Sequence, residues 1–384
     1  MIKKEIVAPV LVHERDLTII QSDLEIVLMF ALAEYDKRRH EQYREGSYEF
    51  FSKIVWPVIL IQTGSENYIG IDGLSFFDLD FKKTKFLTSE SPLFSILGRQ
   101  INDHQSRLNL LSRCIEELNT SLKEDLKIKG IIGPEILHGL VPLIKLATDK
   151  IITSVKLEPN ISTDNLIVIT NQYNQALKNI EETISKWHSF QQVVEQKIEK
   201  WYISYARSSS LSIEQNQLKE KYDKLNKKIL DKIWDCRNEF DYLLHWSISG
   251  QTLNLVVPIT EVWISMYLAG IILPDKTKKT ILLPPSILSE EVNSNRRIPI
   301  DSFHTSFNSI LRDKIETILE SQSRVAQKIK ASCLIQNLFV NEDANKLMAR
   351  GFNRLREKHL IEDKYLEDLE QKWQRSSQNL KNKI

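Results

Sequence analysis

Apolar residues recur every seven positions along three long stretches of the chain, each with a second apolar series interleaved. This gives the period of about 3.5 residues found in helices that pack along one seam. The main series are Phe94, Ile101, Leu108, Ile115 and Leu122; Tyr173, Ile180, Trp187, Val194 and Trp201; and Tyr222, Ile229, Cys236 and Leu243. We therefore predict three long helices whose apolar seams face partner helices.

The second and third stretches are joined by a short polar link at 207–210. Ser212 and Gln215 have the spacing of a capping box, which places the start of the third helix there. A short link of this kind predicts an antiparallel coiled-coil hairpin. Tryptophans 187, 201 and 234 are expected in the core. The predicted interaction seam comprises Leu108, Ile115, Trp187, Val194, Trp201 and Ile229.

Other helices are indicated by caps and apolar stripes. The first long helix is predicted over about 92–129, because Ser91 and Pro92 suit its start and Gly130 its end. Further helices are expected from Ser22 or Asp23, from Asp301 or Ser302 to about 333, and over 364–374, followed by a frayed polar tail.

Two segments are instead rich in β-branched and aromatic residues. Residues 53–61 and 68–71, with turn chemistry between them, predict a β-hairpin, and Pro57 suggests an edge strand or a bulge. Residues 253–283 predict a second β-element. The similar order of strands and a following helix, offset by about 200 residues, suggests a duplicated unit. Chance recurrence of common elements is the alternative.

These elements predict an α+β fold that is predominantly α-helical, with an antiparallel helical hairpin and two small β-hairpin elements. The expected domains are 1–90, an N-terminal helix with a β-hairpin; 91–160, a long helix with short amphipathic helices; 161–250, the coiled-coil hairpin; 251–300, the second β-element; and 301–384, a long helix with small helices.

Composition narrows the classes of function. The chain has 384 residues, 42% of them hydrophobic and 27% charged, which is enough to bury a core. With 52 Lys and Arg against 51 Asp and Glu, the net charge favours neither nucleic acid nor anionic membranes. The 3 cysteines lie far apart, so we expect no metal site, no disulfide framework and a cytoplasmic location. No apolar run is long enough to suggest a transmembrane segment.

One pattern resembles a catalytic motif. Asp72 ends a predicted strand, and Asp80 and Lys82 follow on the next limb. Metal-dependent nucleases place an aspartate and an Asp/Glu-x-Lys pair on adjacent strands, where the carboxylates bind Mg²⁺. Turn chemistry explains Asp72 followed by Gly73 better, and the preferred interpretation is not an enzyme.

Local basic residues are the other candidate chemistry. Lys37, Arg38 and Arg39, and Arg296 with Arg297, could contact nucleic acid or a membrane surface, although charge runs usually form solvated faces.

The preferred function is a non-catalytic structural or adaptor subunit of a larger cytoplasmic assembly, built on coiled-coil helices and needing no cofactor. Other protein subunits are the expected partners, and a homo-oligomer through the seams is possible. The competing interpretations are the nuclease and the nucleic-acid or membrane-surface binder.

Overall fold

A computed structural model describes residues 3–64, 66–87, 101–119, 123–149, 154–159, 161–205, 212–289, 298–302, 305–321 and 323–382. The protein is a mixed α/β structure, 57% helical and 23% strand, so helix predominates as predicted. It divides into two compact units. The first contains Met1–Asp78, Gly130–Leu166 and Ser247–Ile384, and the second contains Leu79–Lys129 and Ile167–Trp246.

Strands and helices alternate irregularly along the chain. The strands are β1 (Lys3–Ala8), β2 (Leu11–His13), β3 (Ser47–Thr63), β4 (Asn67–Asp72), β5 (Asp78–Thr84), β6 (Lys123–Lys129), β7 (Val155–Lys156), β8 (Ser247–Ser249), β9 (Ile259–Ile272), β10 (Lys278–Leu283), β11 (Ser286–Leu288) and β12 (Ile300–Ser302). The helices are α1 (Ser22–Arg39), α2 (His104–Asn119), α3 (Pro134–Leu146), α4 (Thr163–Tyr205), α5 (Ser212–Leu244), α6 (Gly250–Leu253), α7 (Thr305–Glu320), α8 (Arg324–Ile335), α9 (Glu342–Lys358) and α10 (Asp363–Lys381).

Two long strands, β3 and β9, form the centre of the main sheet in the first unit. They run antiparallel, from Ser47 opposite Ile272 to Ile61 opposite Ile259. The strand order is β1-β9-β3-β4-β8, with β10 also pairing with β9 and β7 with β3. Both predicted hairpins are confirmed, since β3 turns back into β4 and β9 into β10.

The neighbours of β3 and β9 correspond to each other. Each long strand pairs antiparallel with the strand that follows it, β4 or β10, along its C-terminal half. Each also pairs parallel with a short strand, β7 or β1, on the N-terminal side of that hairpin pairing. The pairings are alike in kind, but Pro57 lies inside β3 whereas Pro258 precedes β9, so these two segments do not occupy equivalent places. The helix start predicted at residue 92 lies outside the described residues, and the duplicated unit stays a prediction.

Pro57 lies in an interior strand, so the prediction of an edge strand or bulge there is wrong. β9 pairs with β3 through this region, with Trp263 opposite Pro57. On the other side, β4 pairs only from Val58 onward, and β7 only with the two residues before Trp56. The Pro57 carbonyl accepts from Gly73 N (2.9 Å), so the missing N–H faces the gap between β4 and β7 and costs no ladder hydrogen bond.

Helices cover both faces of this sheet. The even-numbered side chains of β9 from Val262 to Leu268 pack with residues of α3, α7 and α8. The odd-numbered ones from Tyr267 to Ile271 pack with residues of α1, α9 and α10. Because successive side chains of a strand point to opposite faces, a strand covered on both sides is apolar at nearly every position.

The helices α1 and α9 approach closely at Gly351. A Cβ at this position would lie 2.2 Å from Asp23 O and 2.6 Å from Val27 Cγ2. Intrinsic helix propensity alone would favour alanine by about 1 kcal/mol. We nevertheless expect Gly351→Ala to lower the free energy of unfolding by about 2 kcal/mol, because the two backbones must separate. Urea denaturation measures the change, with Arg350→Ala on the exposed side as control; a gain in stability would contradict the expectation.

The long helices α4, from Ile167 onward, and α5 lie antiparallel in the second unit. Tyr173 Oη donates to Leu243 O (2.7 Å), and Gln191 Nε2 donates to Asn226 Oδ1 (3.0 Å). These two contacts give the antiparallel direction predicted for the helical hairpin, whose helices have 43 and 33 residues.

Two predicted helices are divided or shortened. The helix expected over 92–129 is described only as α2, and Lys123–Lys129 forms β6, which pairs with β5. There Leu126 and Ile128 alternate with charged residues, the period of a strand. The helix expected from 301 to about 333 is split into α7 and α8, because Ser323 caps α8 by accepting from Ala326 N (3.2 Å).

The C-terminal prediction of a frayed tail after residue 374 is wrong. α10 continues to Lys381. Ser377 Oγ donates to Phe339 O (2.6 Å), and Leu380 packs against the cluster that contains α1. These contacts hold the last turns of α10 beside the C-terminal end of α1.

Candidate functional site

The helix α1 carries charged side chains into the interior of the first unit. Between Leu24 and Ala33 its only charged residue is Glu25, and a helix that is apolar all round is a buried helix. The charged residues at its two ends are buried with it. These are Asp23, Glu25, Glu34, Asp36 and Lys37, each at most 8% exposed.

Glu25 accepts hydrogen bonds from both central strands. Its Oε1 receives Lys53 Nζ (2.6 Å) from β3 and Tyr267 Oη (2.7 Å) from β9. The register places Lys53 directly opposite Tyr267, which brings both donors to one carboxylate. One cation therefore balances one buried anion, and the net charge of the Glu25 cluster is zero.

The same arrangement recurs around Glu34, nine residues further along α1. Tyr48 Oη donates to Oε1 (2.8 Å) and Lys372 Nζ to Oε2 (2.6 Å). Two further cations lie close, with Arg38 Nε 3.7 Å from Oε2 and Lys37 Nζ 3.9 Å from Oε1. Asp368 pairs with Arg38 and its Oδ2 lies 3.6 Å from Lys372 Nζ, so at this end of α1 three cations face two carboxylates.

The pKa values in both clusters are shifted by burial. Burial raises the pKa of Tyr48 and of Tyr267 well above 10, and the neighbouring glutamate raises each further, so both hydroxyls remain donors at neutral pH. Burial lowers the pKa of Lys37 from 10.5; Glu34 opposes this change, and the nearby charges of Lys372 and Arg38 add to it.

Each cluster lines a cavity of the size that binds small molecules, roughly 300–1,000 Å³. The cavity beside Glu25 has about 470 Å³ and includes apolar residues such as Ile335 and Leu347. The cavity beside Glu34, which we call the α1–α10 cavity, has about 570 Å³. Its lining comes from α1, the start of β3 and the last turns of α10, all within the first unit.

The predicted basic residues fall in different environments. Lys37 is buried, Arg38 is half-buried against the Tyr365 ring and pairs with Asp368, and Arg39 is exposed. The solvated face expected for charge runs therefore applies only to Arg39. Arg296 and Arg297 lie outside the described residues.

The proposed nuclease residues belong to different units. Asp72 is fully buried; its Oδ1 accepts from Trp56 Nε1 (2.6 Å) and Leu74 N (2.9 Å), and its Oδ2 accepts from Phe76 N. Asp80 and Lys82 lie on β5 in the second unit, where Lys82 Nζ is 3.8 Å from Asp125. The contacts of Asp72 close the loop after β4 and account for an aspartate at this position.

The predicted seam positions are mostly buried. Trp187, Val194, Trp201 and Ile229 are at most 5% exposed. Leu108 and Ile115 are half-buried, because α2 buries the neighbouring positions Arg107, Leu111, Cys114 and Leu118. Trp234 is 65% exposed, so the prediction that it lies in the core is wrong. It follows the buried Ile233 and points away from the seam because one residue turns a helix by about 100°.

The residues of the two Glu–Tyr–Lys clusters were missed by sequence reasoning. A sequence signal for Glu25 and Glu34 does exist. The segment from Leu24 to Ala33 is apolar on all sides except at Glu25, and Glu34 follows it directly; charges in or beside so apolar a helix are expected to be buried and paired. Lys372 and Arg375 gave no such signal, since their positions depend on how α10 packs against α1.

Comparisons with known protein families, with curated proteins and with solved structures find no match. Within the described ranges, no group of three or more metal-ligating side chains is found. Over the same residues, no helix is long and apolar enough to cross a membrane.

Proposed function

We propose that the protein is a non-catalytic structural or adaptor subunit of a larger cytoplasmic assembly, and that its long helices pair as a coiled coil and dock a partner helix. Support comes from the distribution of exposed apolar side chains. Of the 14 large hydrophobic residues exposed in the described part of the chain, nine lie on α4 and α5.

The best-defined pair of exposed apolar side chains is on α5. Leu230 and Trp234 are 44% and 65% exposed and lie four residues apart, one above the other on the same side of the helix. The adjacent side of α5 is buried through Ile229, Ile233 and Cys236, about a third of a turn away from Leu230 and Trp234. A helix with one apolar side buried and a second apolar pair in solvent offers the spacing by which partner helices bind.

The experiment is a quantitative pull-down from the native host with the double variant Leu230→Ser, Trp234→Ser. We expect loss of the partner recovered by the wild-type chain, since removing central apolar anchors costs roughly 2 kcal/mol or more each. Glu220→Ser with Lys224→Ser is the matched control, because it has the same four-residue spacing on the exposed surface of the same helix, more than one turn before Leu230, and no net charge change. Partner recovery that is equal for the two double variants would contradict the proposal.

Light scattering of the purified chain distinguishes a second copy from a different protein. A monomer that still recovers its partner supports an adaptor in a hetero-assembly. Dimerisation lost in the Leu230/Trp234 variant would instead assign the surface to self-association.

A further inference from the structure

The α1–α10 cavity has an excess of positive charge. Three cationic side chains line it, Lys37, Lys372 and Arg375, against a single carboxylate, Glu34. Cations in the last turn of α1 are expected, because they favour the helix dipole there. That preference does not explain why α10 brings two more cations to the same cavity.

The carboxylate of Glu34 cannot satisfy all of these cations, although Lys372 also lies 3.6 Å from Asp368. The two oxygens of Glu34 already accept from Tyr48 and from Lys372. The closest carboxylate oxygen to Lys37 Nζ is 3.9 Å away, beyond hydrogen-bond distance. Lys37 is nonetheless only 8% exposed and lines the cavity. Its Nζ lies 5.0 Å from the centre of the Tyr48 ring, a cation–π contact that accepts none of the three N–H donors of the ammonium group.

Neutral donors complete the lining. Ser376 and Asn379 are on α10, one turn apart, and Ser47 precedes Tyr48 at the start of β3. A cavity that combines cations with hydroxyl and amide groups, and has a single carboxylate set to one side, matches an oxyanion with several acceptor oxygens. Its volume of about 570 Å³ exceeds that of one such group and leaves space for the molecule that carries it.

We propose that the α1–α10 cavity binds a small phosphorylated molecule, with its phosphoryl oxygens received by Lys37, Lys372 and Arg375. The site is independent of the docking surface on α5, so either proposal can fail alone. Arg375 is the informative position because it is exposed on α10 and lines the cavity, so its replacement leaves the buried Glu34 cluster in place.

Calorimetric titration of the full-length chain with inorganic pyrophosphate is the direct test. We expect saturable binding to the wild-type protein, weakened at least about tenfold in Arg375→Gln, because one charge-assisted contact is lost. Arg350→Gln removes the same charge from the exposed side of α9, away from the cavity, and should bind as the wild type does. Lys37→Met keeps the buried stem and should also weaken binding.

Three outcomes would overturn the proposal. They are no saturation at millimolar pyrophosphate, equal weakening in Arg350→Gln and Arg375→Gln, or a single-stranded oligonucleotide that binds the same residues far more tightly than pyrophosphate does. The last would assign the cavity to a nucleic-acid backbone. Unchanged partner recovery by Arg375→Gln in the pull-down keeps this test separate from that of the adaptor function.

Discussion

Replacing Glu34 with glutamine is expected to lower the free energy of unfolding by about 3 kcal/mol. The amide keeps the shape of the side chain and can still accept one hydrogen bond, but it cannot balance the charges of Lys37 and Lys372, whereas Arg38 keeps its ion pair with Asp368. Since Glu34 is only 1% exposed, water cannot replace the lost charge. Urea denaturation followed by circular dichroism measures the loss, with the exposed Glu367→Gln on α10 as the matched control.

A double-mutant cycle separates the charge effect from packing. Lys372→Met removes the cation closest to Glu34 and keeps most of the aliphatic stem. We expect the double variant Glu34→Gln, Lys372→Met to be less destabilised than the sum of the single variants, since it removes a paired cation with its anion. Strict additivity would show that the two side chains do not interact energetically.

The single variant Glu34→Gln also tests the anion site in the α1–α10 cavity. With Glu34 neutral, the cations of the α1–α10 cavity repel one another more strongly, so an added oxyanion should restore part of the lost stability. Multivalent anions such as sulfate and phosphate stabilise folded proteins generally, because they are excluded from the protein surface. We therefore compare the gain in unfolding free energy that pyrophosphate gives Glu34→Gln with the gain it gives Gly351→Ala, which is destabilised at a different place. Equal effects of pyrophosphate on the two variants would mean that the anion acts on the protein as a whole.

Most individual helices and hairpins could be predicted from the sequence, whereas the pairing of elements that are distant in the chain could not. The strand pairs β3–β4 and β9–β10 follow from β-branched runs separated by turn residues, so the sequence predicts both hairpins. The pairing of β3 with β9 joins residues about 200 positions apart, and no local pattern encodes it. The prediction for Pro57 is wrong for this reason, since an interior strand can accept a proline there only because β4 and β7 leave its nitrogen unpaired.

Periodicity also misled where two periods overlap. Residue 122 continues the seven-residue series of the first stretch, yet Lys123–Lys129 is a strand with a two-residue period. The apolar stripe of the third stretch predicts Trp234 in the core, although Ile233 occupies the seam and Trp234 is exposed. The cationic cavity could not be predicted, because its lining comes from helices more than 300 residues apart and from a tail expected to fray.

Replacing Asp72 with alanine is expected to cost about 4 kcal/mol of unfolding free energy, the largest effect we predict. The carboxylate accepts from Trp56 Nε1, Leu74 N and Phe76 N in a fully buried position. Each of these N–H groups would lose its acceptor without gaining water. Asp72→Asn should cost less, because its carbonyl oxygen can still receive the two donors that meet at Oδ1.

The pH dependence of the wild-type chain relative to Asp72→Asn gives an independent check. Burial raises the pKa of Asp72 from 3.8 to about 6, although its hydrogen bonds oppose the shift. The folded state therefore holds this proton more tightly than the unfolded state, and the stabilising contribution is present below pH 3.8 and lost as the pH rises to about 6. The stability of wild type minus that of Asp72→Asn should accordingly fall across this window. A difference that rises instead would mean that the three N–H donors outweigh desolvation and hold the pKa of Asp72 below its ordinary value.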